Sequence, residues 1–242
     1  MTAISVDDLT IKIFADGADL EGMKAMAAKP YIKGLTTNPT LMRKAGVTDY
    51  GAFAKAAIAA IPDKPISFEV FADEADAMIA QGRVIGGWGA NVNVKIPVTN
   101  TKGAFMGEPI ATLSKHGVVV NVTAIMTPDQ VKQIADALDP ATPAIVSVFA
   151  GRVADTGRDP VPLMVDCLEI LKDRPMAELL WASPREVLNI IQANDMGCHI
   201  ITMTNDLLGK LGGLGKDLDR FSLETVKMFE GDASAAGFSI TD

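Results

Sequence analysis

Lys95 is the residue of this sequence best suited to covalent chemistry, because it interrupts an otherwise apolar strand pattern. In NVNVKIPV, which begins at Asn91, the residues Asn91, Asn93 and Lys95 alternate with apolar residues, so the three polar side chains share one face of a strand. Burial disfavours the charged form of an amine, and a neutral amine attacks a ketone to form a Schiff base. A structural lysine paired with a carboxylate such as Glu69 is the alternative interpretation.

Carboxylates and hydroxyls that could support this chemistry lie in or after neighbouring strand-like segments. Glu69 lies in ISFEVF between two apolar residues, Asp16 follows IKIFA, and Asn121 and Thr123 alternate with valines in GVVVNVTA. Carboxylates can carry out the proton transfers that imine formation and hydrolysis require, while Asn121 and Thr123 could orient the amine or hold a water. Alternatively, Asp16 is a turn residue before the first helix, and Asn121 and Thr123 satisfy backbone groups in the core.

Arginines follow two of the later strand-like segments. GRVADTGRD contains Arg152 and Arg158, and ASPRE contains Arg185 beside an expected helix start. A guanidinium group near the free N–H groups of a helix N-terminus suits a phosphate. Any one of these arginines could be an ordinary surface residue, but their placement on consecutive loops predicts a sugar-phosphate site.

The elements that must position these residues are eight β-type runs that alternate with helical patterns. The runs are IKIFA from Ile11, IKGLTT from Ile32, ISFEVF from Ile66, NVNVKIPV from Asn91, GVVVNVTA from Gly117, AIVSVF from Ala144, AELLWAS from Ala177 and CHIITM from Cys198. Such alternation implies parallel pairing through right-handed crossovers, and eight repeats can close into a barrel. We therefore predict an α/β fold, a (β/α)8 TIM barrel forming a single domain over residues 1–242; an open doubly wound sheet is the competing fold.

The helical patterns cover 18–28, roughly 40–61, 73–88, 101–115, 128–138, 160–173 and 184–194, with a C-terminal helix near 221–236. The pairs Thr127-Pro128, Asp159-Pro160 and Ser183-Pro184 each predict a helix start, because an N-cap side chain precedes proline at the first helical position. Active sites of barrels lie at the C-terminal ends of the strands. The polar residues expected there are Asp16, Thr36, Asn38, Glu69, Lys95, Asn121, Thr123, Ser147, Ser183 and Thr202.

Composition and charge exclude several classes of protein. The 242 residues carry a formal net charge of −8 without any basic run, so we expect no nucleic-acid partner. Cys167 and Cys198 lie in apolar segments, which indicates a reduced, cytoplasmic protein and no disulfide framework. We find neither an export signal nor an apolar run long enough to span a membrane. The scattered histidines and cysteines predict no metal site.

Several of these segments together resemble the transaldolase family. They are FADG around Asp16, GLTTNPT from Gly34, NVNVKIPVT around Lys95, NVTAIMT from Asn121, SVFAGR from Ser147 and ASPRE around Arg185. The resemblance runs from about Lys12 to Thr204, nearly the whole barrel. In length the chain is similar to the short members, which include the fructose 6-phosphate aldolases.

The resemblance implies a class I aldol mechanism without a metal or an organic cofactor. By resemblance, Lys95 would form the imine with a ketose phosphate, Asp16 would remove the proton of the C4 hydroxyl, and Glu69 would move protons through a water held with Thr123. Asn38 and Asn121 would bind hydroxyls of the three-carbon unit. Thr36 and Phe149 would also contact the substrate, and Ser147, Arg152 and Arg185 match the phosphate-binding positions of the family.

Two residues bear on which reaction the resemblance implies. Aldolase-type members carry Tyr where this chain has Phe149, and they tend to carry Gln where it has Glu69. The expected reaction is therefore transfer, from sedoheptulose 7-phosphate to glyceraldehyde 3-phosphate, giving erythrose 4-phosphate and fructose 6-phosphate. An aldolase that releases free dihydroxyacetone and a non-catalytic barrel that binds sugar phosphates are the alternatives. Family members are oligomers, so the resemblance also implies a homo-oligomer.

Overall fold

Eight parallel strands close into a barrel in the computed structural model, which describes residues 5–240. The strands pair in chain order, and β8 pairs with β1. The predicted barrel is therefore confirmed, and the open doubly wound sheet was the wrong alternative; residues 1–4 and 241–242 of the predicted domain lie outside the described residues. The strands are β1 (Lys12–Asp16), β2 (Ile32–Thr36), β3 (Ile66–Glu69), β4 (Val92–Pro97), β5 (Val120–Ile125), β6 (Ala144–Val148), β7 (Ala177–Trp181) and β8 (Ile200–Thr204).

Helices connect the strands on the outside of the barrel. Within residues 5–240, no helix combines the length and the apolar composition that a membrane span requires. The helices are α1 (Leu20–Ala27), α2 (Pro39–Lys44), α3 (Tyr50–Ala60), α4 (Ala75–Gly86), α5 (Gly107–Lys115), α6 (Pro128–Ala137), α7 (Ala150–Ala154), α8 (Pro160–Leu171), α9 (Leu188–Asp195), α10 (Asn205–Gly209) and α11 (Leu218–Ala235). Neither α7 nor α10 was predicted.

The single helix predicted over 40–61 is wrong, because the chain breaks it into α2 and α3. Gly46 adopts a left-handed conformation with φ 72° and its N–H bonds the carbonyl of Arg43, which ends α2 in the manner of a glycine C-cap. Asp49 then caps α3 by accepting a hydrogen bond from the backbone N–H of Ala52. The break lets α3 approach the end of β3 independently of α2.

Two other helices, α5 and α9, begin at least four residues later than predicted. The helix expected over 101–115 begins at Gly107, because the preceding residues form a turn around Asn100, whose side chain accepts from the N–H of Ala104. The helix expected over 184–194 begins at Leu188. Ser183 is not its N-cap but a left-handed residue with φ 57°, so the helix start predicted at Ser183-Pro184 is wrong. The starts predicted at Thr127 and Asp159 are confirmed by their N-cap hydrogen bonds.

Apolar and polar side chains divide between the two faces of the strands as the alternation predicts. The outward residues of β3, β4 and β5, such as Phe68, Val94 and Val122, belong to the large core between strands and helices. Inside the barrel a smaller apolar cluster is formed by Phe14, Ile145, Leu180, Ala182 and Ile200. The barrel interior therefore combines this apolar cluster, from β1 and from β6 to β8, with buried polar side chains on β2–β6 and β8.

Two details of the interior show how closely it is packed. A Cβ on Gly34 would lie 2.5 Å from the ring of Phe14, so only glycine fits there without moving the ring. Asn91, which we expected to share a strand face with Lys95, precedes β4 and donates its amide to the carbonyls of Ile61 and Lys64. That prediction is wrong because the strand begins only at Val92.

Candidate active site

The C-terminal ends of the strands surround a cavity of about 400 Å³. The predicted site residues other than Arg158 and Arg185 lie in its walls: Asp16, Thr36, Asn38, Glu69, Lys95, Asn121, Thr123, Ser147, Phe149 and Arg152. Ser183 and Thr202, the other polar residues expected at strand ends, also line it. A concave pocket of this size with convergent polar groups has the features of a small-molecule site.

Lys95 is buried in the wall of this cavity and has few partners. The residue is 7% exposed. Its Nζ donates to the carbonyl oxygen of Thr37 at 2.9 Å and lies 3.5 Å from Glu69 Oε2. The Thr37 carbonyl lies between the end of β2 and the start of α2 at Pro39. The amine thus has one neutral acceptor, and its carboxylate partner is farther away than in a close hydrogen bond. Because neither partner binds the amine tightly, it is available for reaction.

Glu69 reaches the amine because β3 and β4 pair in parallel with Glu69 opposite Lys95. It is the last residue of β3, and its carboxylate is partly exposed to the cavity. Two side chains on adjacent strands at the same level and on the same face lie within reach of each other. The ion pair therefore follows from the strand register, and it places a carboxylate beside the amine of Lys95.

Asp16 is held at the end of β1 by two residues from the end of β2. Thr36 Oγ1 donates to Asp16 Oδ1 at 2.7 Å, and Asn38 Nδ2 donates to Asp16 Oδ2 at 3.3 Å. The Asn38 Oδ1 caps α2 by accepting from Leu41 N–H, which fixes the orientation of its amide. Thr36 Oγ1 also lies 2.6 Å from Thr202 Oγ1. Asp16 therefore lines the cavity and does not cap α1, whose N-cap is Asp19.

Burial raises the pKa of the Asp16 carboxyl above its usual value, because desolvation penalises the charged form. The positive charge of Lys95 and the hydrogen bonds from Thr36 and Asn38 oppose this shift and lower the pKa, but they do not cancel it. A carboxylate with a raised pKa is a stronger base once ionised, which suits it to remove a proton from a hydroxyl.

A chain of hydrogen bonds crosses the barrel beside Lys95. Ser147 Oγ on β6 donates to Asn121 Oδ1 at 2.7 Å, and Asn121 Nδ2 on β5 donates to Ser67 Oγ on β3 at 3.1 Å. All three side chains are buried. Because the protein satisfies both ends of the Asn121 amide, its orientation is fixed and the residue forms a rigid polar wall.

Thr123 lies at a bulge of β5. The register with β6 shifts between Val122 and Ile125, and Ala124 has φ 61°, a left-handed conformation that is strained for a residue with a side chain. Bulges redirect side chains near active sites. Here Thr123 is buried in the cavity wall opposite Pro97, the strand residue two positions after Lys95.

The three arginines of the phosphate prediction occupy different environments. Arg158 is exposed and lies outside the cavity walls. Arg152, on α7, lines the cavity. Arg185 lies outside the cavity walls and pairs with Asp155, with Nε donating to Oδ1 at 2.8 Å. This hydrogen bond is the main cause of the lowered pKa of Asp155. The structure therefore brings Arg152 to the site and not Arg185.

Close backbone contact fixes α7 beside the loop that follows β7. A Cβ on Gly151 would lie 1.6 Å from the carbonyl oxygen of Ser183, so no other residue fits at this position. Ser183 itself is left-handed. A pattern of residue types does not reveal such contacts. It also did not predict that the apolar residues Leu41 and Ala182 line the cavity.

Within residues 5–240, no three His, Cys, Asp or Glu side chains cluster in a way that could hold a metal ion.

Comparison with known proteins identifies similar chains. Residues 13–240 match the family model described as transaldolase/fructose-6-phosphate aldolase. A probable transaldolase of Dehalococcoides mccartyi is 36% identical over 199 residues, covering 82% of this chain and 88% of that protein. A probable transaldolase of Streptococcus pyogenes is 37% identical over 202 residues, covering 83% of this chain and 90% of that protein.

Solved structures share the fold at low sequence identity. Dihydrodipicolinate synthase from Rhodopseudomonas palustris superposes with a TM-score of 0.53 at 14% identity, covering 84% of this chain and 72% of that one. KGPDC from Streptococcus mutans gives a TM-score of 0.53 at 14% identity, covering 80% of this chain and 88% of that one. At this identity the likeness supports the barrel alone.

The raised pKa of Asp16 predicts a pH-dependent effect on stability. A carboxyl whose pKa is raised on folding contributes stability that is complete below its unfolded pKa of about 4 and is lost as the pH rises through the folded value. We expect Asp16→Asn to raise Tm at pH 8 by a few degrees, with the gain disappearing near pH 4. Thermal unfolding across this range tests the prediction, with the exposed Asp63→Asn as control. A lower Tm for Asp16→Asn at pH 8 would contradict it.

Proposed function

Because this chain belongs to the transaldolase/fructose-6-phosphate aldolase family, we propose that it is a transaldolase acting through an imine on Lys95. The proposed reaction converts sedoheptulose 7-phosphate and glyceraldehyde 3-phosphate into erythrose 4-phosphate and fructose 6-phosphate. The observation that carries the proposal is the buried Lys95 amine beside the Glu69 carboxylate, in a cavity that Asp16 also lines.

In the first half of the proposed reaction, Lys95 Nζ attacks the ketone carbon of the donor sugar. The carbinolamine then loses water to give the imine, and each step moves a proton. Glu69 lies 3.5 Å from Nζ, which suits a carboxylate that takes and returns these protons. Thr123, in the same cavity wall, would hold the water through which Glu69 acts.

Cleavage needs a base at the hydroxyl next to the breaking bond. Asp16 takes the proton of the C4 hydroxyl, the C3–C4 bond breaks, and its electron pair passes into the imine to give an enamine while an aldose phosphate leaves. The raised pKa of Asp16 suits this step. The enamine then attacks the aldehyde carbon of the acceptor, Asp16 returns the proton, and hydrolysis of the new imine frees Lys95.

Binding of the sugar phosphate is assigned to the polar wall and to the arginines. Asn38 and Asn121 would face the hydroxyls of the three-carbon unit, beside Thr36 and Ser147. We assign the phosphate to Arg152, because it lines the cavity. Arg185 can contribute only if its ion pair with Asp155 opens.

The wall beside Phe149 supports transfer over simple aldol cleavage. Phe149 packs against the apolar cluster that contains Leu180 and Ala182, and all three residues line the cavity. An apolar wall offers no hydroxyl to protonate the enamine, so the enamine persists until an aldehyde arrives. An aldolase that releases free dihydroxyacetone remains the second candidate, because it would use the same lysine.

A homo-oligomer is also part of the proposal. The helix α11 has no buried residue. It exposes apolar side chains that are costly to leave in water: Leu218, Phe221, Leu223, Val226, Met228 and Phe229. Packing between subunits would cover them.

Trapping of the imine tests the proposed role of Lys95. Borohydride reduction in the presence of fructose 6-phosphate should leave a three-carbon adduct on the peptide that contains Lys95, because reduction makes the C–N bond permanent. Peptide mass spectrometry locates the adduct. Lys95→Ala should give none and should lose turnover, whereas Lys132→Ala on the surface of α6 should behave as the wild type. Turnover with an unmodified Lys95 would refute the mechanism.

Dependence on an acceptor separates transfer from aldol cleavage. With fructose 6-phosphate alone, we expect free dihydroxyacetone to form at least about a hundredfold more slowly than product forms once erythrose 4-phosphate is added, the range that a missing proton donor costs. Phe149→Tyr adds a hydroxyl and should raise the release of free dihydroxyacetone. Coupled assays of both products measure this. Equal rates with and without the acceptor would favour the aldolase.

A further inference from the structure

The hydroxyl of Tyr50 binds both backbone groups of Glu69. Tyr50 Oη donates to the Glu69 carbonyl oxygen at 2.9 Å and accepts from the Glu69 N–H at 2.7 Å. Tyr50 is the first residue of α3, the helix that the break near Gly46 separates from α2. No motif pointed to this residue, and no role has been assigned to it above.

The backbone of Glu69 needs these bonds because its neighbouring strand ends too early. Pairing of β2 with β3 stops at Thr36 and Ser67, and Thr37 N–H makes the last bond to Ser67. The chain then turns away into α2. A phenolic hydroxyl can both donate and accept a hydrogen bond. The Tyr50 hydroxyl therefore bonds the N–H and the carbonyl of Glu69, which a longer β2 would otherwise have bonded. Buried backbone groups without partners are costly.

Aromatic neighbours hold the ring of Tyr50 in place. Its centroid lies 6.2 Å from that of Phe68, 4.6 Å from that of Phe71 and 5.5 Å from that of Trp88. Such edge and tilted contacts fix a ring more firmly than burial alone. Burial raises the pKa of the Tyr50 hydroxyl, so the group remains a donor at neutral pH.

The carboxylate of Glu69 depends on its backbone for its position. Among residues 5–240, its side chain has an ion pair with Lys95 and no hydrogen bond within 3.5 Å. On its outer side lies a second cavity of about 350 Å³, lined by Tyr50, Phe71 and Trp88 among others. Glu69 thus lies between two cavities. The position of its carboxylate is set by its backbone, which is hydrogen-bonded to Tyr50.

We propose that Tyr50 is a positioning residue for the reaction, which acts through Glu69 by fixing its backbone and hence its distance to Lys95. The inference rests on the proposed function of Glu69 as the group that moves protons at the imine. Tyr50 does not line the cavity that holds Lys95. Its loss should therefore affect the chemical steps and leave substrate binding nearly unchanged.

Tyr50→Phe removes only the hydroxyl and keeps the ring. We expect kcat to fall roughly tenfold, since small displacements of a catalytic group are costly, while KM changes less than about twofold. The matched control is Tyr31→Phe, because Tyr31 is the other tyrosine of the chain and lies just before β2, at the opposite end of the barrel from the site. This control should keep wild-type kcat and KM. An unchanged kcat in Tyr50→Phe would overturn the inference.

A double-mutant cycle separates positioning from general destabilisation. In the background of Glu69→Gln, whose residual rate no longer uses the carboxylate, Tyr50→Phe should lower kcat less than about twofold. If Tyr50→Phe lowers kcat tenfold in both backgrounds, the residue acts independently of the Glu69 carboxylate and the inference is wrong. Kinetics of the four proteins at one pH provide the comparison.

Two further measurements keep the test decisive. If Tyr50→Phe is unfolded at the assay temperature, 3-fluorotyrosine at position 50 is the second variant, because it preserves the ring and weakens the hydroxyl as an acceptor. We expect kcat to fall with this substitution at position 50 and to stay unchanged with the same substitution at position 31. Equal effects at the two positions would overturn the inference.

Borohydride trapping on wild-type Lys95 distinguishes the failure of the proposed function from the failure of the role proposed for Tyr50. Without an adduct the proposed function fails; with an adduct and full kcat in Tyr50→Phe, only the role of Tyr50 fails.

Discussion

The site depends on keeping an amine inside a barrel without binding it too tightly. A buried ammonium needs partners, because desolvation of a charge is costly, but a close carboxylate on each side would make the amine unreactive. Lys95 has the carbonyl of Thr37 at 2.9 Å and Glu69 at 3.5 Å. The first acceptor is neutral, and the second is farther away than in a close charge-assisted hydrogen bond. The proposed nucleophile is therefore supported by geometry and remains free to react.

The rest of the interior can be understood from this requirement. The polar part of the interior is built from side chains that satisfy one another across strands, as Ser67, Asn121 and Ser147 do. The apolar part is filled by Phe14 and its neighbours, which keep the interior packed and would limit the water that could reach the proposed imine. The loops after β6 and β7 are held together by close contacts. One of these is the contact of Gly151 with the carbonyl of Ser183, which leaves no space for a Cβ atom.

The strand pattern of the sequence predicted the barrel and the face on which Lys95 lies, because alternation has a period of two and eight runs show it clearly. Residue types alone did not predict contacts made by the backbone. The Thr37 carbonyl, the break between α2 and α3, and the bonds of Tyr50 to Glu69 depend on where β2 ends. Arg185 shows a different error: its position after β7 was predicted correctly, but its partner Asp155 lies 30 residues away in the chain, and no local pattern indicates this pairing.

The fate of the carbonyl oxygen of the substrate tests the proposed imine most directly. Imine formation expels this oxygen as water, so fructose 6-phosphate labelled with ¹⁸O at C2 should lose its label to the solvent in proportion to the enzyme present. Mass spectrometry of recovered substrate measures the loss, and Lys95→Ala should show only the uncatalysed rate. Retention of the label by substrate that the wild-type enzyme has turned over and re-formed would contradict the account.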